Sequence, residues 1–572
     1  MASRYMTVKW PYDLEKRQHQ GGRIGPQGQP ARRWKMADNI VPGSLSLLSA
    51  MRDYEKLTRD EDLESAKDER LLYEDEVLPV HFIDQAAIVR KIVFNYTFRY
   101  DKVLDARKLH ESLVQLVHTP GWRKVGGRLR ANSEGKLEIH VPRIFNETRP
   151  AVRFSHVDHL NTNIDSHPLA SRLPKPTGST PSIQEGSHAF KSFAAPVDLP
   201  RSTDHYLKSD EPLLCLQVTS FADSTLVGLT YPHSLADAMG ISELLKAWSN
   251  IIAGKSHLVK PLQGTYRDVL DGAGTKLDKE ASQRKFALES QQTRGLALIS
   301  FIARYVWDIA TRRTVQSRHI YLPANYLRHL RQGVEQELKE THGGVAPFVS
   351  DGDLITAWGS RLVMSSRPWK RCSAVICNVF DIRRRLENTF APEGPYLQNL
   401  ILPATTVLSR QEAASATTAQ IAQNLRQAIT EQTGDVQTRS LLRLARKWFA
   451  ALDTMPLFAR WDSRVIACSN WTKARFLDAA DISSAASGDV GEDNPCTGVV
   501  GDSAADATQD HVRPVMFWGA TMNADDKTRD AFMIYGKDGS GNYWVQGFLR
   551  KESWALIEEE FQRFGKESKE SI

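Results

Sequence analysis

Between Leu213 and Ile252 the chain runs strand, turn, strand, loop and helix without a break. Leu213 to Phe221 reads Leu-Leu-Cys-Leu-Gln-Val-Thr-Ser-Phe, a strand pattern, and Ala222-Asp223-Ser224 is a turn signal. Thr225 to Tyr231 is a second strand pattern. Ile241, Leu244, Leu245, Trp248, Ile251 and Ile252 then fall on one helical stripe, and Gly254 is a natural stop. This succession commits the chain to an α/β fold. In the connecting loop, His233 sits at the strand-to-loop junction and Asp237 stands four residues on, at the start of the helix. A histidine so placed can reach into a cleft as a general base, with the aspartate bracing its loop. It can equally be a core histidine beside a helix-capping aspartate, favoured at the positive end of the helix dipole. The spacing alone leaves both open.

Further signals fix their order along the chain. Residues 1 to 45 are a basic arm with no apolar run and a disordered composition, so they do not form a secretory signal. The net charge of +6 resides in residues 1 to 35, which hold eight Lys/Arg and two acids. The remainder balances at 66 against 66. A basic, nucleic-acid-binding body is therefore excluded. Residues 51 to 76 are highly charged with a helical pattern. Residues 46 to 260 form a first alternating half, in which His167 to Thr203 reads as a long surface loop. Residues 261 to 317 are a crossover segment. Its most apolar stretch, Leu296 to Ala310, is short and broken by Arg304 and Asp308, so no membrane span is expected. Residues 318 to 572 form the second half, ending in strands at Pro514 to Met522 and on either side of the turn Gly539 to Asn542, then a helix from Glu552 to Phe564. Residues 482 to 512 carry six acids and no Lys or Arg, a flexible acidic insertion. Five scattered cysteines without metal-ligand spacing fit free thiols in a reducing, cytoplasmic compartment. The sixteen histidines form no metal-binding cluster, and no phosphate-binding glycine loop or Gly-x-Ser-x-Gly element is present.

The ordered set of segments resembles the BAHD acyl-CoA-dependent acyltransferases, in the branch found in fungal secondary metabolism. The segments are Phe82-Ile83-Asp84-Gln85, Leu109 to Arg130, His233 to Asp237, Ser350 to Trp358, Asn378 to Leu386, Tyr396 to Asn399 and Ser469 to Trp471. The resemblance covers residues 75 to 562. It implies two chloramphenicol-acetyltransferase-like domains with mixed sheets and an active-site channel at their interface. It implies acyl transfer, acetyl being the expected group, from acyl-CoA as co-substrate to a hydroxyl, or alternatively an amine, of a small-molecule acceptor. No bound cofactor, metal or covalent intermediate is implied, and a monomer is expected.

Under this reading His233 is the base, Trp471 donates its indole N–H to the oxyanion and Ser469 adds a hydroxyl. Asp237 turns away from the cleft toward an arginine, for which Arg383 is the candidate. Asp381, Arg383 and Asp481 are structural at the site. Lys473 and Arg475 are candidates for the coenzyme A phosphates or else surface charges. The chain departs from the family pattern at Ala238, where a glycine is usual, at Gln398 for another glycine, and at Asp481-Ile482-Ser483 for Asp-Phe-Gly. Two further readings remain. One is a catalytically inactive binding or scaffolding homologue. The other is a condensation-domain-like enzyme using a carrier-bound donor, although Pro232 stands where that motif has its first histidine.

Overall fold

The computed structural model describes residues 75–311, 314–366, 372–486, 512–523 and 527–570. The charged segment 51–76 except its last two residues, the basic arm, and the acidic insertion 482–512 except its two ends lie outside them. Residues 72–572 form one compact unit. In chain order the described strands are β1 (Glu76–Pro79), β2 (Val93–Tyr100), β3 (Arg128–Ala131), β4 (Leu137–Val141), β5 (Arg153–His159), β6 (Ser182–Glu185), β7 (Cys215–Phe221), β8 (Thr225–Pro232), β9 (Gln316–Leu322), β10 (Ala374–Asp381), β11 (Ile401–Leu408), β12 (Arg464–Asn470), β13 (Met516–Thr521), β14 (Ala531–Lys537) and β15 (Tyr543–Leu549). They build a five-stranded sheet in the order β13-β2-β8-β7-β5, a seven-stranded sheet in the order β11-β10-β12-β14-β15-β9-β6, and a small sheet β1-β4-β3. Both large sheets are mixed: β5 runs parallel to β7, and β10 and β14 run parallel to β12, among antiparallel neighbours.

The hairpin β7–β8 and the helix after it lie where the residue pattern puts them. Helix α1 (Ala106–His118) and helix α2 (Ala238–Ile252) pack on the five-stranded sheet with the whole stripe Ile241, Leu244, Leu245, Trp248, Ile251, Ile252 buried. Trp248 also donates its indole N–H to Ser112 Oγ on α1 at 2.9 Å, so the ring buries without an orphaned donor. In the second half, helix α4 (Asp351–Ser365) starts on a capping box between Ser350 and Asp353. Arg426 reaches Asp353 from helix α5 (Thr418–Gln432). The crossover contains helix α3 (Gly295–Thr311), and the closing helix α6 spans Lys551–Glu570.

Two strands cross between the halves. The segment 167–203, expected as a surface loop, supplies β6, which pairs with β9 at the edge of the seven-stranded sheet. It also buries Phe190 and Phe193 in the first core. Conversely β13, late in the second half, pairs antiparallel with β2 in the first sheet, from Met516 opposite Arg99 to Thr521 opposite Phe94. Among the described residues no helix is long and apolar enough to cross a membrane.

Candidate active site

His233 follows the last residue of β8, and its backbone N–H donates to Ile92 O at 2.8 Å. The ring lies edge-on to Phe94, with centroids 5.9 Å apart. Its Nδ1 is buried and makes no well-formed hydrogen bond, while the residue as a whole is only half-buried. Burial lowers its pKa below the ordinary histidine value, opposed by its own carbonyl, by Asp237 and by Asn399. The imidazole is therefore neutral at physiological pH and able to accept a proton.

Asp237 is 2% exposed and caps α2, and its four acceptor positions are filled. Oδ1 accepts from Gly240 N at 2.8 Å and Arg383 Nη2 at 3.0 Å. Oδ2 accepts from Arg383 Nη1 at 2.9 Å and Leu400 N at 2.9 Å. A carboxylate has about four lone-pair sites, so none is left for the His233 ring. The pair is thus not built as a triad-type dyad. Gly240 is needed for close approach: a Cβ there would stand 2.3 Å from Leu397 O.

Arg383 ties three segments together. Nη1 also reaches Asp381 Oδ1 at the end of β10 at 2.8 Å, and Nη2 donates to the carbonyls of Tyr396 at 3.1 Å and Gln398 at 2.9 Å. Burial works against its charge, but Asp237 and Asp381 outweigh it and hold the guanidinium protonated. Gln398, in place of the family's glycine, is buried and donates to Asp268 Oδ1 at 2.9 Å.

Asn399 and Asp84 carry roles that the residue pattern did not assign. The Asn399 side-chain amide donates both to the His233 carbonyl at 2.7 Å and to Asp84 Oδ1 at 2.6 Å, and its backbone N–H donates to the same Oδ1 at 2.8 Å. The other Asp84 oxygen is buried without a partner. Burial pushes this carboxyl up to about 7, against the pull of Lys124 and Asn399. Lys124 is itself buried, and that lowers its pKa. Both residues stand in segments that the sequence singles out, but 315 positions separate them, and only folding shows the contact.

On the facing side, Trp471 follows the last residue of β12. It is held by its backbone N–H to Ile534 O at 2.8 Å and by rings all round: Phe94 and Tyr96 edge-on at 5.9 and 5.3 Å, Tyr535 stacked at 5.4 Å. Its indole N–H donates to Ser469 Oγ at 2.9 Å. Phe94 touches both His233 and Trp471, so the start of β2 brings the ends of β8 and β12 to one place. Lys473 and Arg475 lie exposed just beyond, Arg475 in the left-handed backbone region at φ 47° and paired to Asp478 at 2.8 Å. Asp481 does not join the cluster. It accepts from Ser483 beside Tyr100, whose hydroxyl meets Ala480 O. Tyr100 ends β2, the opposite end from Phe94, which places Asp481 about 20 Å away along the strand. Among the described residues no group of three or more His, Cys, Asp or Glu could hold a metal ion.

With this geometry in view, the chain is similar to known proteins over most of its length. The family model described as "Transferase family" matches residues 199–479. The chain is 65% identical over 496 residues to acetyltransferase BOT5 of Botryotinia fuckeliana, covering 86% of this chain and 91% of that protein. It is 37% identical over 487 residues to acetyltransferase pyiB of Pyricularia grisea, covering 85% and 93%. The fold matches the crystal structure of F. graminearum TRI101 complexed with coenzyme A and T-2 mycotoxin, with a TM-score of 0.56 at 13% identity over 86% of this chain and 98% of that one.

Proposed function

Because the chain belongs to the BAHD-type acyl-CoA-dependent acyltransferase family, we propose that it moves an acetyl group from acetyl-CoA to a hydroxyl of a small-molecule secondary metabolite, as a cytoplasmic monomer, with His233 as general base. The observation that carries this reading is the half-exposed, neutral His233 ring at the junction of β8 and α2, with Nδ1 buried, so that Nε2 is the nitrogen left to meet an acceptor. His233 takes the acceptor's proton as its oxygen forms a bond to the thioester carbonyl carbon. The tetrahedral oxyanion then collapses, the C–S bond breaks, and the coenzyme A thiolate leaves and takes the proton from the imidazolium. A thiolate is a good enough leaving group that no acyl-enzyme is needed. Asp237, Asp381 and Arg383 position the loop. Trp471 and Ser469 face the developing oxyanion as a coupled pair: the indole N–H donates to Ser469 Oγ, which leaves the hydroxyl proton for the oxyanion. Lys473 and Arg475 meet the coenzyme A phosphates. The described cysteines, Cys215, Cys372, Cys377 and Cys468, are unpaired, which fits a reducing compartment.

The test is incubation with acetyl-CoA and panels of alcohol and amine acceptors, read by thiol release and product mass. The expected product is an ester, cleaved by alkaline hydroxylamine. An amide product would overturn the hydroxyl assignment. Thiol release that persists unchanged in His233→Ala would overturn the base.

A further inference from the structure

Helix α3 is inside out. In an ordinary surface helix the apolar stripe faces the core and charge faces water. Here the one buried residue is the acid, Asp308, ion-paired with Arg464 at 2.6 Å, Arg529 at 3.1 Å and Arg550 at 2.6 Å. Leu296, Ile299, Ile302 and Val306 follow one another at spacings of about one helical turn, with Trp307 next to Val306, and all five are half or more exposed, Leu296 at 84% and Trp307 at 70%. Five large apolar groups on one 17-residue helix are a continuous patch, not the scattered exposure usual on a soluble surface.

Arginines outnumber the exposed acids around the patch, with Glu412 beside Arg410 one such acid. Arg294 stands exposed at its start, and Arg304 lies over the half-exposed ring of Trp461 at 5.6 Å. Arg460 and Arg410 have exposed side chains beside it, on the loop that Thr293 clips to Leu457 and Ala459 and on the helix after β11. Of the acids in the same neighbourhood, Asp308, Asp462 and Asp530 are buried and paired to arginines. A tryptophan and aliphatic groups projecting from a rim of arginines form the pattern that lies in the plane of an anionic bilayer surface. At 17 residues the helix is about 25 Å long, too short and too interrupted to span.

We propose that α3 seats the protein on an anionic membrane surface, with Leu296, Ile299, Ile302, Val306 and Trp307 entering the headgroup–acyl boundary and the surrounding arginines meeting lipid phosphates. Arg464 and Ala374, which open β12 and β10, lie at this end of the seven-stranded sheet, whereas Ser469, Trp471 and Asp381 lie at the other. Docking therefore leaves the acyl-transfer site free.

The test is co-sedimentation of the full chain with vesicles of phosphatidylcholine alone and of phosphatidylcholine with phosphatidylserine. Binding should be strong only to the anionic vesicles and should weaken with salt. Ile302→Ser/Trp307→Ser should lower the bound-to-free ratio at least tenfold, while thiol release from acetyl-CoA in vesicle-free buffer stays within about twofold, showing an intact fold. No binding to anionic vesicles overturns the proposal, as does binding that the double substitution leaves unchanged. If light scattering instead shows a dimer that the substitution dissociates, with no vesicle binding, the patch is a self-association face and the membrane assignment is wrong.

Discussion

On the His233 side of the site the residues are held by charge and hydrogen bonds, whereas on the Trp471 side they are held by rings. Asp237 has every acceptor position filled, Arg383 gathers two carboxylates and two carbonyls, and Asn399 bridges Asp84 to the His233 carbonyl. Trp471 sits among Phe94, Tyr96, Phe476 and Tyr535 with one side-chain hydrogen bond, to Ser469. The two constructions fail differently. Removing one partner from a buried ionic cluster leaves another unpaired, so position and stability are lost together. A ring can be exchanged for a ring with little loss of packing, so on the Trp471 side chemistry separates from stability.

The largest effect should come from the one polar group on the ionic side that holds nothing else in place. His233→Ala should fold normally, since Asp237 and Asn399 fix the loop through backbone groups, and turnover should fall roughly 10²–10⁴-fold. Thermal unfolding beside single-turnover kinetics checks both halves. A folded variant with near-normal turnover would end the general-base assignment.

Next comes the ionic cluster itself. Asp237→Ala leaves Arg383 with Asp381 as its one remaining carboxylate in a buried setting, and stability should drop by about 3–5 kcal/mol together with activity. Asp237→Asn keeps the shape and the acceptor for Gly240 N or Leu400 N, and should cost less. Denaturant unfolding of both variants decides. If Asp237→Ala is as stable as wild type yet inactive, the aspartate acts in the chemistry and the contrast between the two sides collapses.

What the residue pattern told and withheld follows the same physics. The helical stripe of α2, the hairpin of β7 and β8 and the histidine loop are local, and each is built as its periodicity indicates. The contact of Arg383 with Asp237 spans 146 positions, yet the family resemblance pointed to it. Asp84 and Asn399 stand in recognised segments, but no periodicity joins them, so their bridge to His233 was not legible. Strand patterns also say nothing about sheet membership. β13 is buried on both faces and reads like any core strand of the second half, yet it pairs with β2; β6, Ser-Ile-Gln-Glu, lacks alternation altogether and reads as part of a surface loop, yet it pairs with β9. The apolar run Leu296 to Ala310 reads only as a crossover stretch too short to span a membrane, and neither its helix nor its outward stripe was legible.

A milder effect should come from the titration of Asp84. Its carboxyl is raised to about 7 by burial, against roughly 3.9 in the unfolded chain. Below pH 4 both states are protonated. Between about 4 and 7 the unfolded chain releases this proton while the folded protein keeps it, so the folded state binds more protons and stability falls as pH rises. The slope is about 1.4 kcal/mol per pH unit over that window. Asp84→Asn should remove it. The charged groups facing Asp84 are Lys124 and Asp268, and they are present in both proteins. The new amide also adds a buried N–H₂ where Oδ2 had no partner, a cost that does not change with pH. The quantity to measure is therefore the difference in unfolding free energy between the two proteins at several pH values. A difference that stays flat from pH 4 to 7 would show that Asp84 is ionised throughout.

The smallest effect probes the side built of rings. Trp471→Phe keeps the stacking on Tyr535 and the edge contacts with Phe94 and Tyr96, and removes only the N–H that Ser469 Oγ accepts. Stability should move little. A neutral hydrogen bond is worth about 1 kcal/mol, so turnover should fall roughly fivefold if the indole acts by aligning and polarising the Ser469 hydroxyl. Acceptor KM should hold, because an oxyanion donor is felt mainly in the transition state. Ser469→Ala removes the hydroxyl itself and should cost more. The decisive quantity is the double-mutant cycle. If the two act as one unit, adding Trp471→Phe to Ser469→Ala costs nothing further, and the coupling equals the whole effect of the tryptophan. Additive losses would mean that the indole N–H leaves Ser469 and meets the oxyanion on its own. A rise in acceptor KM with turnover unchanged would make Trp471 a wall of the pocket, and the aromatic side of the site would then be packing alone.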